Sequence, residues 1–131
     1  KEFIIGLLAD YVQFAREIIF EEVRKKKFST LPSRQVCLWV IPESIDLQEN
    51  LIFWINKLTG NDSIYQILKL SCSGEIHYAN QDYLTSHLGE FNKFRENAEC
   101  YWRGTNVKVN SNNTECLFVG NVEVIDIIKA V

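Results

Sequence analysis

Apolar residues recur every three to four positions through the first part of the chain and form adjacent rows. This spacing predicts one long amphipathic helix over residues 3–27. A face made of adjacent rows is wide enough to contact more than one neighbour. We therefore expect it to pack inside the fold, to bind a protein partner or to form a homo-oligomer. The rows contain Ile4, Leu8, Tyr11, Ala15 and Ile18, and Ile5, Val12, Ile19 and Val23.

The pattern then changes to a short strand and a second helix. Residues 35–41 are apolar on both faces, which predicts a strand in the centre of a sheet. Asp46 and Glu49 have the spacing of a capping box and Gly60 is typical of a helix end, so a helix is expected between them. Its inward row would consist of Leu47, Leu51, Trp54 and Leu58.

The second half of the chain alternates between apolar and polar positions. A strand is predicted over residues 64–70, a turn over 71–74 and a short returning strand over 75–78. Asn80 is expected to cap a third helix whose inward row is Leu84, His87 or Leu88, Phe91 and Phe94. Further strands are predicted at residues 98–103, 107–109, 115–119 and 122–128, separated by Gly104, the 110–113 turn and Gly120-Asn121.

This element order, α-β-α-β-α followed by strands, predicts a single α+β domain over residues 1–131 with a mixed, mostly antiparallel sheet. An apolar fraction of 47% is sufficient for a core. The net charge of −3 argues against general nucleic-acid binding. No run reaches the roughly 18 apolar residues of a membrane span, so no membrane partner is expected.

The four cysteines are widely spaced and form no C-x-x-C pair. Cys37, Cys100 and Cys116 lie in predicted strands, where small buried hydrophobes in a reducing, cytoplasmic setting are the expected explanation. No metal site is predicted, because metal sites usually include a close pair of ligands.

Ser33 and Arg34 stand at the mouth of the first predicted strand, after Pro32 has ended the helical region. The guanidinium of an arginine held there would suit a carboxylate or a phosphate. Glu115 begins a late strand, where a carboxylate can face a cleft and stabilise positive charge developing on a sugar, or orient a ribose hydroxyl. The alternative is that Glu115 is a solvated turn residue.

Glu99, Tyr101 and Arg103 would share one face of the strand predicted over residues 98–103. Tyr101 could then stack on a ring and Arg103 could contact an anion, or the charges could be ordinary edge-strand charges. His77 follows a glycine turn, where a histidine titrates near neutral pH. A histidine with no evident partner is more often structural, and the same holds for His87.

Several of these segments together resemble a known family. The runs Phe20-Glu21-Glu22-Val23-Arg24, Leu31-Pro32-Ser33-Arg34 and Tyr101-Trp102-Arg103-Gly104, with Phe28, resemble an uncharacterised bacterial domain of unknown function. The run from Glu115 to Val124 is similar to the closing strands of ADP-ribosyltransferase-like folds.

This second resemblance implies an enzyme that uses NAD. In it Glu115 would be the catalytic carboxylate, and Ser33, Arg34, Tyr101 and Arg103 would line the cofactor site. Such enzymes carry a His or Arg on a strand before the first helix, whereas this sequence starts with the helix. Either an N-terminal strand precedes these residues, or the chain is not this enzyme.

Three functions are therefore compatible with the sequence. The first is NAD-dependent ADP-ribosyl transfer with Glu115 as the key carboxylate. The second is a non-catalytic domain that binds a nucleotide or another anionic ligand in the same cleft. The third is an assembly module that uses the apolar face of residues 3–27.

Overall fold

The structure, a computed structural model, describes residues 2–44, 46–59, 64–85, 91–109 and 111–130. This part of the chain has an α+β fold, as predicted, with three helices and a three-stranded antiparallel sheet. The elements are α1 (Glu2–Lys27), β1 (Leu38–Val40), α2 (Leu47–Leu58), β2 (Gln66–Asn80), a 3₁₀ turn (Gln81–Tyr83), α3 (Phe91–Arg103) and β3 (Thr114–Ala130).

The long first helix is confirmed almost to the residue. It ends on a basic turn, Arg24 to Lys27, where positive side chains offset the negative end of the helix dipole. Lys26 forms an i,i+4 ion pair with Glu22 at 3.0 Å on the outer face. None of the helices in the described ranges is long and apolar enough to cross a membrane.

The strand over residues 35–41 was predicted to be central, and this is wrong. Within the described ranges the sheet order is β1-β3-β2, so β1 is a three-residue edge strand, paired there with Cys116 to Phe118. Leu38 and Trp39 are each about half exposed. Trp39 made residues 35–41 look apolar on both faces of the strand. Its ring lies beside the Arg34 guanidinium and is not covered by another sheet.

The predicted turns at 71–74 and at Gly120-Asn121 are also wrong, because β2 and β3 run through them without interruption. Gly74 and Gly120 face each other across the two strands. A Cβ on Gly74 would lie 2.3 Å from the Val119 carbonyl oxygen, and one on Gly120 would lie 2.4 Å from that of Ser73. The glycines therefore permit a close approach of two backbones rather than a chain reversal.

Substitution of Gly74 should show this close approach directly. We expect Gly74→Ala to destabilise the domain by about 1–3 kcal/mol, because the added methyl overlaps backbone that cannot rotate away. Ser73→Ala, one residue earlier on the same exposed strand, should leave stability nearly unchanged. Urea unfolding monitored by tryptophan fluorescence measures both, and equal midpoints for the two variants would contradict the close-approach explanation.

Residues 98–103 form the end of α3, so the strand predicted there is wrong. The buried positions Phe94, Ala98, Tyr101 and Trp102 follow helical spacing, which a window of six residues could not separate from alternation. Residues 107–109 are likewise not a strand. Asn80 does cap, its side chain accepting from the Asp82 amide at 2.9 Å, but the element that it opens is the 3₁₀ turn Gln81–Tyr83 and not α3, described as Phe91–Arg103.

The second helix begins and ends close to the prediction, without the predicted capping box. Asp46 occupies the N-cap position, but its side chain makes no capping hydrogen bond. The Thr59 amide closes the helix on the Ile55 carbonyl at 2.9 Å. Gly60, His87 and Leu88 lie outside the described residues.

The core lies between α1, α3 and one face of the sheet. Phe20 meets Tyr101 edge to face with ring centroids 5.4 Å apart, and His77 stacks on Trp102 at the same separation. The Trp102 indole N–H donates to the Phe20 carbonyl at 2.8 Å and so joins α3 to α1. The buried cluster comprises Phe20, Ala79, Ala98, Tyr101, Trp102 and Leu117.

Beyond Phe118, the partner of β3 among the described residues is β2 alone, and the two strands continue as a ribbon. The β-branched residues in this part of β3 are largely exposed. The edge of β3 that faces away from β2 could template pairing with another chain. Register shifts between Ile67 and Leu68 and between Lys69 and Leu70 interrupt the ladder, and the Asp126 carboxylate accepts from the Ile127 amide at 2.8 Å. Bulges and an edge carboxylate are devices that discourage such pairing.

Candidate functional site

Three of the predicted site residues meet in one place. Arg34 Nη1 donates to the Tyr101 hydroxyl at 2.8 Å and also to Glu115 Oε1. The Tyr101 hydroxyl itself donates to the same carboxylate oxygen. Arg34 and Glu115 are separated by 81 positions in sequence and come together because β1 and the start of β3 are neighbours. We call these three residues and Glu17, described next, the Arg34 cluster.

Glu17 completes the cluster from α1 and was not predicted. Its carboxylate accepts hydrogen bonds from the other two nitrogens of the guanidinium, Arg34 Nε at 3.0 Å and Nη2 at 3.1 Å. Arg16 Nη2 donates to Glu17 at 3.0 Å, and Arg16 Nη1 donates to the Leu84 carbonyl at 3.1 Å. A glutamate in a charged helix carries no distinguishing signal, because its partner lies 17 positions away in a loop.

Ser33 lies beside the Arg34 cluster but bonds to a neighbouring ion pair, that of Glu21 and Arg24. Its hydroxyl donates to Glu21 Oε2 at 2.8 Å and accepts from the Gln35 amide at 3.2 Å. Arg24 holds the same carboxylate with two hydrogen bonds, of 3.0 and 2.7 Å, and donates to the Leu31 carbonyl at 2.9 Å. These bonds fix the loop that carries Arg34 against α1.

Arg103 does not join the others. It extends from the solvent face of α3 and forms a 3.6 Å ion pair with Glu99, which also pairs with Lys27. Because residues 99–103 are helical, Tyr101 points into the core while Glu99 and Arg103 share the opposite, outer face. The strand that would have placed all three side by side does not exist.

The cluster is largely buried, and its two carboxylates are matched by two arginines when the neighbouring Arg16 is counted. The Arg34 side chain is 11% exposed, that of Glu115 7% and that of Glu17 29%. Burial disfavours the charge on Arg34, but its anionic neighbours more than offset this and raise its pKa. Burial would likewise raise the pKa of Glu17, yet the hydrogen bonds and charges of Arg34 and Arg16 hold it below the usual value.

Tyr101 stays protonated in this setting. Burial, and then the negative charge of Glu115, raise the pKa of its hydroxyl well above the ordinary value. It therefore acts as a hydrogen-bond donor to Glu115 and an acceptor from Arg34. Trp39 borders the cluster on its exposed side, with its ring centroid 5.5 Å from the Arg34 guanidinium carbon.

The cysteines in the described residues are free thiols. Burial raises the pKa of Cys37 to about 11 and that of Cys116 to about 12. Both thiols are thus protonated near neutral pH and are poor nucleophiles. No group of His, Cys, Asp and Glu among the described residues could hold a metal ion.

His77 is a structural histidine whose titration should be visible in stability. Burial against Trp102 lowers its pKa below the ordinary value near 6.5. Below about pH 6.5 the histidine of the unfolded chain therefore takes up a proton, whereas the buried His77 of the folded chain does not. The free energy of unfolding consequently decreases as the pH is lowered, by at most about 1.4 kcal/mol per pH unit. The lowered pKa values of Glu17 and Glu21 act in a separate window, below about pH 4.5.

We expect His77→Gln to flatten this dependence between pH 7 and 5 while changing little of the slope below pH 4.5. Urea titrations at half-unit pH intervals provide the comparison. Parallel stability profiles for the two proteins from pH 7 to 5 would show that His77 is not the group responsible.

Two cavities of the described residues are not lined by any of the four cluster residues, although the first of them reaches Trp39. One is a groove of about 570 Å³ between α2 and the opposite face of the sheet, and the other is a shallow depression beside Ile18 and Phe91. Each nitrogen of the Arg34 guanidinium already donates to a partner, so a ligand that pairs with two of them would replace one of these partners. Glu17, the most exposed of them, is the one nearest to solvent.

The fold and this site define a small α+β domain built around a buried cluster of arginine, glutamate and tyrosine. The chain belongs to the family described as Protein of unknown function (DUF2441), whose model matches residues 1–130. The resemblance to an uncharacterised family is thus confirmed. A search of curated proteins found no match to this sequence.

Proposed function

We propose that this domain is a bacterial, cytoplasmic ADP-ribosyltransferase-like protein that binds NAD at the Arg34 cluster, with Glu115 as the catalytic carboxylate. One observation carries the proposal: Arg34 of the loop before β1, Tyr101 of α3 and Glu115 of β3 contact one another. Ser33 belongs to the loop that positions Arg34. Arg103 is left out of the proposed site because its side chain lies on the outer face of α3.

The side chains present suit such a ligand. A guanidinium with several donors in a plane matches a diphosphate, and the half-exposed Trp39 offers a ring face for stacking. Both hydrogen bonds described for Glu115 end on Oε1, and we propose that Oε2 accepts a bond from a ribose hydroxyl. Bound NAD would supply the ADP-ribosyl group: its bond between ribose and nicotinamide breaks, nicotinamide leaves, and water or an acceptor nucleophile forms the new bond to the same ribose carbon. The buried negative charge of Glu115 would favour the positive charge that develops on the ribose.

The test is ligand-induced stabilisation followed by a nicotinamide-release assay. NAD at about 100 times its dissociation constant should stabilise the folded state by roughly 2.7 kcal/mol, which is several degrees in melting temperature for a domain of this size. Glu115→Gln keeps the shape of the side chain and should bind NAD but release far less nicotinamide.

Arg103→Gln is the matched control, and it should behave as the unchanged protein does in both assays. Stabilisation without nicotinamide release in the unchanged protein would favour a non-catalytic nucleotide-binding domain. The absence of any shift with millimolar NAD would refute both nucleotide functions.

A separate observation favours an assembly function as the second candidate. Tyr11, Phe14 and Ile18 are spaced i, i+3 and i+7 on α1, and they are 64%, 66% and 48% exposed. A continuous apolar stripe of this kind is what one helix presents to another, and we propose a second copy of the chain as its partner. Phe14→Glu should then convert a dimer into a monomer in light scattering, whereas a wild-type monomer at high micromolar concentration would exclude this function.

A further inference from the structure

Glu17 occupies the part of Arg34 that an external anion would need. Its two carboxylate oxygens accept from Nε at 3.0 Å and Nη2 at 3.1 Å, which is the paired geometry that a phosphate adopts on a guanidinium. The third nitrogen, Nη1, is used differently, on Tyr101 and Glu115. Arg34 thus bonds to buried core residues through Nη1, and its Nε and Nη2 atoms are occupied by a carboxylate from α1.

The two sides differ in their access to solvent. The Glu17 side chain is 29% exposed, whereas that of Glu115 is 7% exposed. An incoming anion would therefore meet Glu17 first. Arg16 Nη2 already holds Glu17 at 3.0 Å, so Glu17 would keep a cationic partner if it left Arg34.

We propose that Glu17 is an internal competitor: it imitates a phosphate on Arg34 and must yield for a phosphate or diphosphate ligand to bind. This inference deepens the proposed function, since it names the ligand group that Arg34 receives and a residue that limits its affinity. Glu17 is a positioning residue, because it would act through Arg34.

The charge balance gives the inference a definite sign. In the native protein Arg16 and Arg34 are matched by Glu17 and Glu115. Glu17→Gln leaves the site with one excess positive charge and removes a negative charge within reach of the bound anion. A unit charge about 4 Å from the ligand changes affinity by roughly fivefold even with the dielectric constant of water, and by more where water is excluded.

The experiment measures pyrophosphate binding by calorimetry at constant ionic strength, with NAD in a parallel series. We expect Glu17→Gln to bind pyrophosphate at least about fivefold more tightly than the unchanged protein, although it is less stable to urea. Glu17→Asp, which keeps the charge, should bind as weakly as the unchanged protein. Glu99→Gln, on a surface glutamate of similar exposure that also pairs with basic residues, should not alter affinity.

Tighter binding in Glu17→Gln alone supports the competitor role. Equal affinities in Glu17→Gln and the unchanged protein, or an equal gain in Glu99→Gln, would overturn it. The outcome is separate from that of the proposed function: nicotinamide release with no effect of Glu17→Gln would leave the enzyme standing and remove the competitor. If Glu17→Gln binds pyrophosphate more tightly but the protein does not act on NAD, the competitor role would stand and the enzyme function would be lost.

Discussion

Replacement of Arg34 by methionine should destabilise the domain by about 3–5 kcal/mol. The substitution leaves Glu115 buried without its arginine and takes from Glu17 one of its two arginines, and an uncompensated buried charge is costly. Tyr101 would also lose the hydrogen bond that it accepts from Nη1. Because folded domains are commonly stable by only 5–15 kcal/mol, this single change should shift the urea midpoint by a large fraction of its value.

A second substitution shows whether the loss comes from the stranded charge. Adding Glu115→Gln to Arg34→Met removes the carboxylate that lost its arginine, so the double variant should be more stable than the sum of the single effects predicts. Arg103→Met removes an arginine whose ion pair lies on the surface, and it should cost little. Similar losses for Arg34→Met and Arg103→Met would contradict a buried cluster.

Trp102→Ala should have a comparable effect, about 3–5 kcal/mol, for a different reason. The ring is almost completely buried between His77 and Tyr101, so its removal leaves a large cavity. Its indole N–H is also the donor to the Phe20 carbonyl across the α1–α3 contact. Both the volume and the hydrogen bond are lost in the alanine variant.

Trp102→Phe separates these contributions, because it keeps an aromatic ring while abandoning the hydrogen bond, and it should lose less than the alanine variant does. Phe91→Ala is the control within the same helix, since Phe91 is 62% exposed. Stability is measured by urea unfolding followed by far-ultraviolet circular dichroism. An alanine variant at Trp102 as stable as Phe91→Ala would show that α3 does not pack on α1 as described.

The helices were the more predictable part of this fold. Residues 3–27 hold a helical period over seven turns, and a signal of that length is hard to mistake. The strand prediction for residues 98–103 fails because six positions fit alternation as well as a helix. Gly74 and Gly120 are typical of turns, but here they face each other and allow two strand backbones to approach closely. A pairing across strands cannot be detected in a local sequence window.

The candidate site was predictable residue by residue and not as an arrangement. Arg34 and Glu115 were selected for their chemistry at the ends of strands, and their contact depends on β1 pairing with β3. Arg103 was placed with them through the misread strand, while its helix turns it outward. Glu17 could not be found from sequence, because its role depends on how the 31–34 loop folds back along α1.

The position of β3 has a consequence for how the protein is made. This strand is the last of the described elements to be synthesised, yet β1 and β2 each pair only with it. At about 5–20 residues per second, a ribosome that has translated Val40 needs roughly 4 to 15 seconds more to reach Thr114. By the end of that interval the nascent chain contains α1, β1 and β2, and neither strand yet has the partner with which it pairs in the folded domain.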